Sequence, residues 1–263
     1  MNEKFKYIYG PVPSWRLGSS LGIDLLSQKD KICNFDCIYC QLGRTKEYIS
    51  KRNIWVPVKE LIEELRSLPK IKIDYVTFSG RGEPALAENL GEAIKEVKLI
   101  REEKIAVITN GSLVGNEEVR NELSLADLVM VKLDAYSQDS LSRINRPFGE
   151  IEFSKILNGI KELRKNYMGK LALQIMFTEE NKDKIDEYIY LMNYIKPDEV
   201  QVNTPLRRCK VKPLPEREIL EIKKRLSFAS RNIFINSVYD KEPCRKIASV
   251  SDEDTLRRRG KIK

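Results

Sequence analysis

The chain reads as an α/β protein: a parallel sheet curled into a partial, TIM-like (β/α)6 barrel with a short basic C-terminal extension. Three observations predict this. Short β-branched runs alternate with charged amphipathic segments, the pattern of strands joined by crossover helices. Polar and glycine-containing motifs follow one strand after another, and in parallel sheets that edge carries the site. The length, 263 residues, accommodates one parallel barrel of roughly 200–250 residues as a single unit.

Strands are predicted at 20–26, 74–79, 104–109, 128–134, 171–177 and 199–203. Helices fall between them at 58–68, 86–101, 116–124, 152–166 and 182–195. The first helix shows the basis for these assignments: Leu61, Leu65 and Leu68 recur at helical spacing on one face. Ser79-Gly80-Arg81-Gly82-Glu83-Pro84 closes the second strand, Thr109-Asn110-Gly111 the third, Asp134-Ala135 the fourth and Asn203-Thr204-Pro205 the sixth. Turn formation accounts for any one of these, but less well for four in series. Right-handed crossovers carry six such units partway round a barrel. Past Leu206 the pattern is less regular, with a helix at 214–228, a strand at 232–238 and a short helix at 252–258. A boundary near Leu206 therefore separates a barrel at 1–206 from an extension at 207–263.

Composition narrows the classes. Hydrophobic residues make up 41% of the chain, enough for an ordinary core. No stretch approaches the ~20 apolar residues of a membrane span. The opening Met1-Asn2-Glu3-Lys4-Phe5-Lys6 carries no apolar signal segment. The expected compartment is the cytoplasm, where thiols stay reduced, and five cysteines do not suggest a disulfide framework. Net charge is +8, with 17 basic and 8 acidic residues from Arg207 onward, so the preceding part balances at −1. The basic end is either a solvated tail or a surface for RNA or another polyanion.

Cys33, Cys37 and Cys40 stand within the run Cys33-Asn34-Phe35-Asp36-Cys37-Ile38-Tyr39-Cys40, in a chain without histidine. Thiolates select zinc, copper(I) or iron–sulfur clusters. A structural zinc site wants four ligands, nearly always Cys or His, and the remaining cysteines, Cys209 and Cys244, lie far away. In a four-iron cluster, three protein ligands would leave one iron open to a small molecule.

The spacing Cys-x-x-x-Cys-x-x-Cys, with Tyr39 just before the last cysteine, resembles the radical S-adenosylmethionine (radical SAM) superfamily. Gly80, Gly82, Glu83 and Pro84 resemble that superfamily's glycine–glutamate motif, which contacts the methionine amino group. The run from Gly10 to Gly18, followed by Ser20-Leu21-Gly22-Ile23-Asp24, is similar to iron–sulfur oxidoreductases related to wyosine-base tRNA enzymes. Trp15 stands where that subgroup usually has the first of two arginines. The resemblance covers about Tyr7 to Arg207.

The resemblance implies a chemistry. Cys33, Cys37 and Cys40 would hold three irons of a 4Fe–4S cluster, and S-adenosylmethionine would chelate the fourth. An electron from a reductase, or from a flavodoxin or ferredoxin, would cleave the sulfonium reductively. The resulting 5′-deoxyadenosyl radical would take hydrogen from a substrate. That substrate is left open among an RNA base (wyosine-type tRNA modification), a peptide or protein (including a glycyl radical on a partner) and a small molecule. Electron transfer alone, or a zinc-stabilised RNA-binding module, would each want a fourth close ligand. Intact cysteines speak against a barrel that has lost catalysis.

Individual residues have expected roles. Tyr39 is a shelf for adenine or a core aromatic. Gly80 and Gly82 let backbone approach a ligand closely. Glu83, followed by Pro84, would accept from a cationic amino group. Asn110 offers donor and acceptor to the methionine carboxylate or ribose, or serves as a turn residue. Lys132 and Asp134 alternate along one strand and so face the same way, as cofactor contacts or as a salt bridge. Gln174 and Asn203 would complete the ribose and adenine contacts. Arg16 and Asp24 would bind substrate or hold the N-terminal segment over the barrel. Cys209 and Cys244 are either part of a second cluster, a hydrogen-donor thiol or simply free, buried cysteines.

Overall fold

Eight strands form a single sheet in sequence order. The computed structural model describes residues 5–47, 49–240, 249–251, 253 and 256. β1 (Ile8–Ser14) runs antiparallel to β2 (Gly18–Ile23). From β2 onward every neighbour is parallel: β3 (Tyr75–Phe78), β4 (Lys104–Thr109), β5 (Leu128–Lys132), β6 (Lys170–Met176), β7 (Glu199–Asn203) and β8 (Phe234–Ser237). The sheet curls into a partial, TIM-like barrel with all of β2–β8 ending on one edge.

The six predicted strands are β2 to β7. β1 escaped prediction because Gly10, Pro11 and Pro13 interrupt it. Proline gives no ladder donor and is tolerated on edge strands, and β1 is the sheet's antiparallel edge, with a register shift between Tyr9 and Val12. Beyond Leu206, α7 (Glu216–Ala229) leads to β8, which pairs with β7. Residues past the expected boundary thus extend the same sheet. Of the helix expected at 252–258, only Glu253 and Leu256 lie among the described residues.

The crossovers are α1 (Val58–Arg66), α2 (Leu90–Ile100), α3 (Glu117–Leu123), α5 (Phe153–Asn166) and α6 (Ile185–Ile195). The helix expected at 86–101 starts as a 3-10 turn, Pro84–Leu86, and becomes α-helical only at Leu90. A further short helix, α4 (Gln138–Ser140), widens into a π turn, Leu141–Asn145. No helix among the described residues is long and apolar enough to cross a membrane.

Strand alternation divides the side chains between two cores. On β5, Val129 and Val131 join the large core under the helices, while Leu128 and Met130 face the barrel interior. There they meet Ala106, Ala172 and Leu17, the last from the β1–β2 turn. The turn therefore plugs the interior.

Register at the strand starts is held by a repeated device. Asp74, Asp127 and Asp198 each precede a strand, and each Oδ2 accepts from the backbone N–H of the preceding strand's start: Ser19 at 2.7 Å, Ile105 at 2.7 Å and Leu171 at 2.8 Å. The backbone of Asp127 and Asp198 also bonds to Ile105 and Leu171. A carboxylate hydrogen bond of this kind contributes roughly 1–2 kcal/mol at a partly exposed edge. Asp127→Ala should therefore lower unfolding stability by about that amount, measured by urea titration. An unchanged midpoint would show the clamp to be idle.

Candidate active site

The segment between β2 and α1 carries the three cysteines and is held at both ends by backbone pairing. Ile32 bridges Gly82 in parallel fashion: Ile32 N–H donates to Arg81 O and Glu83 N–H to Ile32 O, both at 2.9 Å. On the other side Asp36 N–H donates to Asn145 O at 3.0 Å, Ile38 N–H to Ile144 O at 3.0 Å, and Phe148 N–H to Asn34 O at 2.9 Å. Gly82 is obligatory, because a Cβ there would lie 1.6 Å from Ile32 O. Gly80 has φ +151°, and its missing side chain makes room for the Asp24 carboxyl, 2.3 Å from an ideal Cβ.

This stitching sets Cys33, Cys37 and Cys40 on the wall of a cavity of about 400 Å³. Tyr39, Gly80, Gly82, Glu83, Asn110, Lys132, Gln174, Asn203 and Arg16 line the same cavity. Three predicted residues do not. Asp24 is buried behind the glycine loop, where its Oδ1 accepts from Leu26 and Arg81 N–H, both at 3.2 Å. Pro84 is buried at the start of the 3-10 turn. Asp134 is buried beneath the cavity floor and is fully hydrogen-bonded. Its carboxylate accepts from Tyr39 Oη, from Asn145 Nδ2 at 3.0 Å, from Lys132 Nζ at 3.3 Å and from Met176 N–H at 2.8 Å. Lys132 and Asp134 are thus paired, with only the lysine reaching the cavity, 4.8 Å over the Tyr39 ring.

The electrostatics follow burial. Desolvation pushes the Cys33 thiol up to about 12 and the Cys37 thiol up to about 11, the latter with help from the Asp134 charge. Tyr39 is raised well above its usual value by burial and by Asp134. Burial opposes the charge on Lys31, but the three thiols outweigh it and its pKa is raised. A cation beside three thiols favours the thiolate ligand form. Burial lifts Glu83 to about 7 even though Thr109 Oγ1, Asn110 N–H and Ala85 N–H all donate to it.

The donor set is three soft thiols with a lysine beside them, which fits an iron–sulfur cluster better than a hard cation. Among the described residues no three His, Cys, Asp or Glu side chains converge on one metal ion. Cys209 donates to Val211 O at 3.1 Å and does not line the cavity. Cys244 lies outside the described residues.

The family model of the radical SAM superfamily matches residues 31–192. The chain belongs to the radical SAM superfamily. Within it the chain is 42% identical to the UPF0026 protein slr1464 of Synechocystis sp. over 220 residues, 83% of this chain and 81% of that protein. It is 38% identical to the UPF0026 protein MJ1312 of Methanocaldococcus jannaschii over 242 residues, 88% of this chain and 73% of that one. The solved structure of native anSMEcpe with bound AdoMet superposes with a TM-score of 0.56 at 19% identity, covering 78% of this chain and 62% of that chain. The last comparison shows a shared fold. The superfamily's chemistry is SAM-dependent and radical, and its matched region here runs from Lys31 through the cysteines to α6.

Sequence reasoning missed three residues that bear on this radical SAM site. Lys31 stands two positions before Cys33, and Asn34 joins Asn110 to the cysteine loop, with Asn110 Nδ2 to Asn34 Oδ1 at 2.9 Å. Both lay in plain view beside the motif. Asn145 had no local signal: it ends the π turn and donates to Cys37 Sγ at 3.4 Å as well as to Asp134.

Glu83 gives a pH prediction. Its folded pKa is raised above the ordinary 4.5, so the fold favours the protonated acid. That stability is full below about pH 4.5 and is lost as pH rises through about 7. Going from about pH 5 to about pH 8 should destabilise the ligand-free wild type relative to Glu83→Gln by roughly 2–3 kcal/mol. Urea titrations of both proteins across that range check it; parallel pH curves would contradict it.

Proposed function

We propose that Cys33, Cys37 and Cys40 hold a 4Fe–4S cluster and that the adjoining cavity binds S-adenosylmethionine. Held there, the cluster and S-adenosylmethionine would together supply one-electron, radical chemistry for hydrogen abstraction from a substrate. The observation that carries this reading is three cysteines on one braced loop facing a single cavity with Glu83, Asn110, Lys132 and Gln174.

The chain's own groups then have definite tasks. Lys31 holds positive charge beside the thiolates. Asn145 donates to Cys37 Sγ and Asn110 Nδ2 stands 3.8 Å from Cys33 Sγ, the kind of amide–sulfur contact that orients and tunes a cluster. Glu83 is poised to hold a cationic amino group, which would draw its proton off and convert a costly buried acid into a paired carboxylate. Lys132, Gln174 and Asn203 offer further polar atoms to the same cavity. The apolar part of the lining keeps bulk water from a reactive intermediate. The electron donor is a reductase or a flavodoxin- or ferredoxin-like protein.

Anaerobically reconstituted protein should bind about four irons per chain, the stoichiometry of one 4Fe–4S cluster. With a strong reductant and S-adenosylmethionine it should release 5′-deoxyadenosine, quantified by chromatography. Cys37→Ala should lose the cluster while Cys209→Ala keeps it. Equal iron loss in the two variants would show that the ligand set is wrong.

A further inference from the structure

Arg16 sits in the β1–β2 turn, between Trp15 and the interior plug Leu17. Its guanidinium is turned into the barrel, with Nη1 3.5 Å from the Sδ of interior-facing Met130 and the group 5.6 Å from the Trp15 ring centroid. A thioether is a weak acceptor. Arg16 Nε is buried with no hydrogen-bond partner. Among the described residues no carboxylate forms an ion pair with it. Glu199, whose charge acts on it, is already engaged by Lys170, Gln201 Nε2 at 2.8 Å and Asn236 Nδ2 at 2.9 Å.

Arg16 is half-buried with its Nε out of reach of solvent, and charged groups withdrawn from water are ordinarily paired or hydrogen-bonded. Burial and the nearby Arg207 charge pull Arg16 down to about 10. The cavity offers no local relief: its cations are Arg16, Lys31, Lys132 and Arg207, against Glu83 alone. Lys132 is paired with Asp134, Lys31 faces the thiols, and Arg207 donates to the neutral Gln41 Oε1 at 2.9 Å. The Arg16 guanidinium stands over the interior-facing Met130, whereas Arg207 reaches Gln41, next to Cys40.

We infer that Arg16 is the anion-binding element of a substrate subsite, and that the substrate carries a carboxylate or phosphate which this guanidinium receives. The fork of donors on arginine matches either oxyanion in bidentate fashion. Arg207 adds positive charge from the loop after β7, drawing the anion into the mouth. The inference rests on reading the cavity as the reaction chamber of a radical SAM enzyme, but its test does not require turnover.

The test is calorimetric titration of anaerobically reconstituted protein with methyl phosphate and, separately, with acetate, alongside thermal melting in ion-free buffer. At least one ion should bind saturably, and the tighter one identifies the substrate's group. Arg16→Gln should weaken that binding about tenfold or more, with Arg16→Lys falling between. Arg16→Gln should also melt no lower than wild type, because it removes an uncompensated charge. Equal binding by wild type and Arg16→Gln, no saturable binding of either ion, or a lower melting point for Arg16→Gln would overturn the inference. So would S-adenosylmethionine giving the same Arg16-dependent binding, since the guanidinium would then serve the cofactor. Release of 5′-deoxyadenosine is scored separately: anion binding without it would sink the radical reading and leave the subsite standing.

Discussion

The site depends on a backbone splice. Ile32, just ahead of the first cysteine, is hydrogen-bonded between Arg81 and Glu83 as if it were a further strand residue. The approach is so close that only glycine fits at position 82. A second splice joins residues 34–38 to residues 144–148 beyond the π turn. A long connection between a strand and a helix would otherwise carry three thiols on a mobile tether. Tied at both ends, it presents them as one rigid wall of the cavity, and the glycine-rich strand end becomes structural brace and cavity lining at once.

Asp134 is the second support. One buried carboxylate gathers Tyr39, Asn145, Lys132 and Met176 N–H, while its carbonyl accepts from Tyr188 and Asn181. A buried charge is tolerable when its acceptor positions are filled this completely. The network reaches the cysteine loop through Tyr39 and, via Asn145, Cys37 Sγ. Rigidity of the thiol wall is thus coupled to β5 and α6 by a chain of satisfied polar groups. Arg16 is the counter-example: a half-buried cation on the cavity wall whose Nε is buried without a hydrogen-bond partner and with which no carboxylate among the described residues forms an ion pair. One network is complete and the other is not.

Much of the fold could be read from the chain because its signals are local. β2 to β7 are apolar runs, β-branched most clearly in β4, long enough to register individually, and the helices between them repeat apolar residues at helical spacing. β1 broke the rule through its prolines, which an edge position tolerates. The π turn at Leu141–Asn145 and the 3-10 turn at Pro84–Leu86 carry no periodic signature. Among cavity residues, those inside a motif, such as Cys33 and Glu83, are legible from the chain, while Lys31 beside it is not. Asp24 and Asp134 were recognised as special, but their placement behind the lining depended on packing that residue type alone does not encode.

The order of residues alone determined the α/β class, the parallel edge on which the polar motifs gather, the three-cysteine motif and the superfamily, since each is written in spacing along a short stretch. Tertiary structure decided that Glu83 touches the cavity while Asp24 and Asp134 lie behind its lining, that Asn145 reaches Cys37 across 108 positions, and that the Arg16 Nε is left without a partner among the described residues. These are facts of burial and of contact between distant segments. They exist only once the sheet has curled and brought successive strand ends round one cavity.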